Sequence, residues 1–405
     1  MLLPSQFFER NPGLDLLNLS VTVAFQPEIG SVGSPTYRGL LKFLSVGEIE
    51  AGFPQRGRSS SNSTLWNYHK FEEWTTTDLQ SGAVYDHVYC YFAESEGVSA
   101  KDWVAAAQLA MHKQYQSLFD GFTSHMFEYT TAVIFWKTQS PWPSFRGFLY
   151  DWFLETTGAL RGVGASLANP VSVVFDQKLH QLRLVNRMIK SFHNKPGRIG
   201  AGYAWVRLDG RLAERHEVVL HNGTSGKTRS ISSVQSTLLG FESLTWPESC
   251  SSVCFLRVWP LGQSERTSWY WLTDWTTSRT TSWDYSALGQ LRLRQSVDVT
   301  LGVYGCLQSS SQSFLRIDLG IRVASASESV LFYPSLAVWC DKRQLLPVFD
   351  DHASGVVVVP GQTQNRTLFV PARESLRCSK VLVVLDSWNA PSIRQYFYTP
   401  SSIME

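Results

Sequence analysis

The sequence predicts a multidomain protein: two strands of an α/β barrel of the (β/α)8 type, followed by two β-sandwiches of immunoglobulin-like size. Three observations carry this. A nearly continuous apolar run over residues 14 to 29 closes in FQPEIGSVG, Phe25 to Gly33, and a strand buried on both faces reads in this way in a parallel sheet. The stretch from Ser99 to Phe127 has helical periodicity and leads at once into a second apolar run, Thr131 to Trp136, so strand, loop, helix and strand form one βα repeat. After about Gly164 the pattern changes to short alternating runs between turns, without a convincing helix.

Taken in order, the first strand ends at Pro27, which cannot extend a ladder. Residues 45 to 64 carry Gly, Pro, Arg and the Ser-rich tract RGRSSSNST, and are expected to be a surface loop. Ser99 is the expected N-cap of the long helix, with Asp102 three positions on, and Trp103, Ala106, Ala107, Ala110, Tyr115, Leu118, Phe119 and Phe122 form its apolar stripe. The first sandwich is read from runs at 171 to 177, 181 to 189, 200 to 208, 216 to 220, 253 to 260 and 267 to 272, with a turn at Leu208 to Gly210. The second begins at about residue 288 with LRLRQSVDVTLGVYG and ends with KVLVVLDSW; SWDYS near Ser282 to Ser286 is the expected junction. Each set has about the 100 residues of an immunoglobulin-type sandwich. The domains are therefore read as 1–164, 165–280 and 281–405.

Charged residues make up only 17% and the formal net charge is +2, without the basic excess of a nucleic-acid-binding surface. No apolar run approaches the roughly 18 residues of a membrane span. No signal peptide is visible, and the sequence leaves the compartment open, with cytoplasm and vacuole both compatible. Six cysteines are spread too widely for a disulfide framework, and free buried thiols are expected; Cys250 and Cys254 lack a second pair at zinc-site spacing. No cofactor fingerprint occurs. Asn-X-Ser/Thr patterns stand at Asn18, Asn62, Asn222 and Asn365; they are short enough to arise by chance, and Asn18 would lie on a barrel strand.

A barrel strand end directs its last side chains into the pocket, which makes Glu28 the candidate nucleophile; the bland alternative is a surface Glu in a turn. Retaining glycoside hydrolysis needs two carboxyl groups about 5 Å apart, one to attack the anomeric carbon and one to protonate the leaving oxygen. Trp136, ending the second strand, is the candidate platform for the sugar ring, or else a core Trp at the barrel mouth. Lys137 follows it directly. Trp66 and His69, in LWNYHK, and Trp142 are the remaining candidates for substrate contact, against a structural role for each.

These residues carry a resemblance. FQPEIGSVGSP, LWNYHK, AVIFWKTQSPWPSFRGFLYD and SWYWL, in that order, resemble the carboxy-terminal half of the glycoside hydrolase family 2 enzymes, notably the plant-type mannosylglycoprotein endo-β-mannosidases, with exo-β-glucosaminidases as relatives. The resemblance implies the C-terminal fragment of a TIM (β/α)8 barrel (its last two strands), two immunoglobulin-like sandwiches, Glu28 as nucleophile and Trp136 at the end of the eighth strand. It implies hydrolysis, with retention, of the β-mannosyl to N-acetylglucosamine bond of N-glycans.

The family's acid/base Glu is expected about 90 residues before the nucleophile, whereas 27 residues precede Glu28. The expectation is a truncated chain, inactive alone, that lacks the amino-terminal barrel portion and leaves residues 1 to 160 with an unpaired apolar edge prone to aggregation. The competing reading is a non-catalytic carbohydrate-binding or scaffold protein.

Overall fold

The computed structural model describes residues 25–29, 33–56, 61, 63–70, 88–127, 130–135, 137–145, 149–177, 179–191, 199–219, 235–239, 243–276, 284–294, 297–308, 314–351, 355–371 and 378–398. Among them the chain is mostly β-sheet with few helices. Strand β1 (Phe25–Ile29) pairs in parallel with β2 (Ala132–Phe135), Phe25 opposite Ala132 and Ile29 opposite Phe135. The ladder is irregular between Gln26 and Ile29, where Pro27 has no N–H to donate. Residues 14 to 24 of the expected first strand lie outside the described residues.

Between these strands come α1 (Tyr37–Leu40), α2 (Val46–Gly52), α3 (Thr64–Tyr68) and the long α4 (Ala100–Ser124). The expected loop at 45 to 64 thus contains a helix. Ser45 accepts from the Glu48 backbone N–H while the Glu48 carboxylate accepts from the Ser45 N–H, a reciprocal cap that a local Ser-x-x-Glu spacing is enough to specify. Helix α4 begins as the sequence predicts, with the Ser99 hydroxyl accepting from Asp102 N at 3.2 Å.

The first sandwich faces β3 (Val171–Asp176), β4 (Gln181–Asn186) and β7 (Gln235–Leu239) against β6 (Leu212–Val219), β5 (Gly200–Val206), β8 (Val253–Pro260) and β9 (Ser268–Thr273). Val171, Val173, Leu184, Trp205, Leu256 and Val258 fill its core. The second sandwich has β10 (Val299–Gln308), β11 (Phe314–Val323), β17 (Thr363–Pro371) and β15 (Phe349–Asp350) in one sheet. Its other sheet holds β14 (Arg343–Leu345), β13 (Ser335–Cys340), β18 (Lys380–Asp386) and β19 (Ile393–Tyr398), and the short β12 (Leu331–Phe332) pairs with β16 (Val357–Val358). Ile317, Leu319, Val338, Leu368, Val381 and Val383 are its core.

Two further helices appear. Helix α5 (Gly158–Leu167) spans the expected end of the first domain, and α6 (Ser286–Arg294) takes the LRLR segment for which the sequence predicts a strand. The alternation in LRLR suits either period over so short a run. What decides it is packing: Leu288 and Leu291 are buried, and Gly289 lies so close to the Tyr91 carbonyl that a Cβ would fall 2.2 Å from it.

The cysteine expectation is corrected. Cys340 bonds to Cys378 and Cys250 to Cys254, and Cys90 is free. Cys340 ends β13 and Cys378 stands just before its partner strand β18, so their Cα atoms come within 5.3 Å, a proximity that spacing along the chain does not reveal; the Cα atoms of Cys250 and Cys254 are 5.8 Å apart.

A third core joins the parts. Trp66, Trp103, Leu109, Met111 and Tyr115 of the β/α segment pack with Phe255 and Trp271 of the first sandwich and with Phe332 and Trp388 of the second. Helix α4 is its axis, and it is buried well beyond the predicted stripe. Its polar side meets β9, an edge strand whose outward carbonyls need donors: Lys113 Nζ donates to Trp271 O at 3.3 Å and Gln116 Nε2 to Trp269 O at 3.2 Å. Between these two residues Tyr270 donates its hydroxyl to Asp120 at 2.8 Å. On the opposite side α5 approaches closely because Gly158 and Gly162 carry no side chain; a Cβ there would sit 2.0 Å from Gln108 O and 2.3 Å from His112 O.

Candidate active site

The parallel pairing of β1 with β2 fixes the frame of the site. Glu28 lies near the carboxy-terminal end of β1, and the adjacent parallel strand β2 ends at Phe135, the two strands running about 4.8 Å apart. The Glu28 side chain and the whole of Trp136 lie outside the described residues. Lys137 is half-buried where the chain leaves β2. Among the described residues, β1 and β2 carry no second carboxylate.

The segment beyond Lys137 folds back on itself. Tyr150 N donates to Thr138 O at 2.9 Å and Thr157 N to Leu149 O at 3.1 Å. Asp151 anchors this loop, its Oδ1 accepting from Phe153 N at 2.8 Å and Glu155 N at 2.9 Å. Burial pushes its carboxyl up to about 6, against the pull of those two N–H groups. Glu155, also buried, takes Lys42 at 3.2 Å and Gln344 at 2.6 Å, and so ties the loop to β14 of the second sandwich. Arg38 adds a second tie through its ion pair with Asp386.

His69 and Trp142 come together. Their rings stack at 5.6 Å, and Phe43 covers the imidazole at 4.6 Å. His69 Nδ1 lies 2.8 Å from Pro143 O, and because a carbonyl oxygen only accepts, Nδ1 is the donor of this contact. Trp66 is a different matter. It is fully buried, stacks on Phe145 at 4.4 Å and donates Nε1 to Glu48 O at 3.1 Å, so it is a core residue without surface for a sugar. The exposed ring of LWNYHK is Tyr68, 67% accessible and edge-on to Trp142 at 5.7 Å. Two positions, about 200° around α3, separate the inward Trp66 from the outward Tyr68, so the two rings face opposite ways.

The chain superimposes on an exo-chitosanase from Amycolatopsis orientalis over 92% of its length and 42% of that enzyme's, with a TM-score of 0.70 at 17% identity. It also superimposes on a β-D-mannosidase from Dictyoglomus thermophilum, over 91% of this chain and 38% of that one, with a TM-score of 0.60 at 14% identity. At such identities these matches establish the fold alone. In sequence, 175 residues, 40% of the chain, are 32% identical to 17% of a mannosylglycoprotein endo-β-mannosidase from Lilium longiflorum. A longer stretch of 350 residues, 81% of the chain, is 21% identical to 38% of an exo-β-D-glucosaminidase from Arthroderma benhamiae. No family model matches. Together with the ordered motifs these findings relate the chain to the glycoside hydrolase family 2 enzymes. Its named relatives there are mannosidases and glucosaminidases, and the chain spans well under half the length of each.

Proposed function

We propose that the chain is the nucleophile-bearing portion of a retaining β-glycosidase that cleaves the β-mannosyl to N-acetylglucosamine linkage of N-glycans. Glu28 attacks the anomeric carbon, and Trp136 stacks beneath the sugar it attacks. Lys137 offers a cation to sugar hydroxyls beside that ring. His69, held by Pro143, and Trp142 with Tyr68 form a wall toward the rest of the glycan. The observation that supports the reading is the parallel pairing of β1 and β2, since β1 carries Glu28 near its carboxy-terminal end and β2 ends at Phe135, one position before Trp136 in the sequence. The two strands form the closing part of a barrel in this reading. The second carboxyl that retention requires belongs to a part of the enzyme outside these strands, so the chain by itself hydrolyses ordinary glycosides poorly or not at all.

The test is binding and turnover of a β-mannoside with an activated aryl leaving group, which needs little acid assistance. Slow release of the aryl group, lost in Glu28→Gln, together with weakened binding in Trp136→Ala, is the expected result. Binding that survives both substitutions contradicts it and favours a carbohydrate-binding role for the sandwiches.

A further inference from the structure

One sequence motif has no part in the glycosidase reading: Asn365, Arg366 and Thr367 of β17. We propose that Asn365 is an N-glycosylation site and that the first sugar of the attached glycan packs on Tyr304.

The strand pattern turns Asn365 outward. Arg366, Leu368 and Val370 are buried while Asn365 is exposed, and its side-chain amide makes no hydrogen bond with any described residue. Across the sheet Gly302 stands opposite Gly320, and Gly320 opposite Asn365, so the three share one face on adjacent strands. The two glycines leave a bare strip beside the asparagine. Tyr304, 68% exposed, lies over it: a Cβ on Gly320 would fall 2.3 Å from its hydroxyl oxygen, and one on Gly302 would fall 3.3 Å from Cε1. An exposed aromatic ring thus rests one strand from Asn365, within reach of a pyranose on its amide, and aromatic rings are suited to the apolar faces of sugars.

The disulfides are an independent observation. Cys340–Cys378 closes the opposite sheet of the same sandwich, and Cys250–Cys254 lies in the first. Such bonds form in the oxidising compartments of the secretory route, where asparagine glycosylation also takes place. In the transfer, Asn365 Nδ2 attacks the anomeric carbon of an oligosaccharide carried on a polyprenyl diphosphate. A C–N bond forms, the C–O bond to the diphosphate breaks, Nδ2 loses one proton and the polyprenyl diphosphate leaves; nothing is oxidised or reduced. Thr367 supplies the hydroxyl that the pattern requires. In the folded sheet that hydroxyl donates to Asp318 at 2.8 Å, which places the transfer before β17 docks.

The experiment expresses the full chain behind a secretion leader in eukaryotic cells, treats it with an amidase that converts glycosylated Asn to Asp, and maps the peptides. Retained and secreted chains are both read, so a folding failure leaves the measurement intact. Asn365 should read as Asp in wild type and as Asn in Thr367→Ala. Asn365 unconverted in the wild-type chain, whether or not Asn18, Asn62 or Asn222 is converted, overturns the site. For the packing, enzymatic removal of the glycan should lower Tm more in wild type than in Tyr304→Ala; equal shifts overturn the role of the ring.

Discussion

The paired strands β1 and β2 and the helix α4 belong to one β/α segment, yet their surroundings are opposite. Phe25 and Ile134 are 49% and 52% exposed, while Val133 and Phe135 only rest against the central core. Helix α4 is enclosed by α5, by the edge of β9 and by Tyr333 and Trp388 of the second sandwich. The candidate nucleophile therefore sits on a partly exposed strand pair, and the helix that carries none of the candidate chemistry holds the three parts together. The expectation of an isolated, collapsing amino-terminal portion is modified accordingly: the segment shares a core with both sandwiches, and its exposed apolar side chains include Phe25 and Ile134 of the strand pair as well as Val46, Tyr68 and Phe127 outside it.

The largest break in this contrast is Trp271→Ala, which empties the centre of the shared core. It should cost about 3–5 kcal/mol and loosen the β/α segment and the first sandwich together in chemical denaturation. Next, Gly162→Val forces a side chain against the His112 carbonyl and should cost about 1–3 kcal/mol, read as a lowered Tm.

A pH test probes the same hub. Burial raises the Asp120 carboxyl from 3.8 to about 6, in opposition to the hydrogen bond from Tyr270. The folded chain then binds more protons than the unfolded one between these values. The contribution of Asp120 to stability is full below about pH 4, falls as pH rises toward 6 and is level above. Wild type should lose on the order of 2–3 kcal/mol relative to Asp120→Asn across that window, measured by denaturation at each pH; parallel curves contradict the assignment. The smallest effect is expected at the strands, where Ile134→Ser should change stability by about 0.5 kcal/mol or less while reducing self-association in sedimentation.

Local signals made much of the fold legible. Ser99 with Asp102 specifies the start of α4, and the alternating runs specify β3, β4, β5, β8 and β9 to within a few residues. What the sequence hid depends on partners distant along the chain. The polar side of α4 looks solvated until the carbonyls of β9 are set against Lys113 and Gln116. Cys340 and Cys378 are 38 residues apart and meet only because β13 and β18 pair. Trp66 resembles a loop aromatic until Phe145 covers it, whereas His69 and Trp142 do come together. For Glu28 the legible part is its strand end, which the pairing with β2 defines.

The most direct measurement of the central claim is covalent trapping. The full chain, incubated with a fluorinated mannoside bearing an activated leaving group, is digested and its peptides are mass-mapped. The account predicts one glycosyl label on Glu28, absent in Glu28→Gln and slowed in Trp136→Ala. An unlabelled Glu28 at saturating reagent, or a label on another carboxylate, contradicts it.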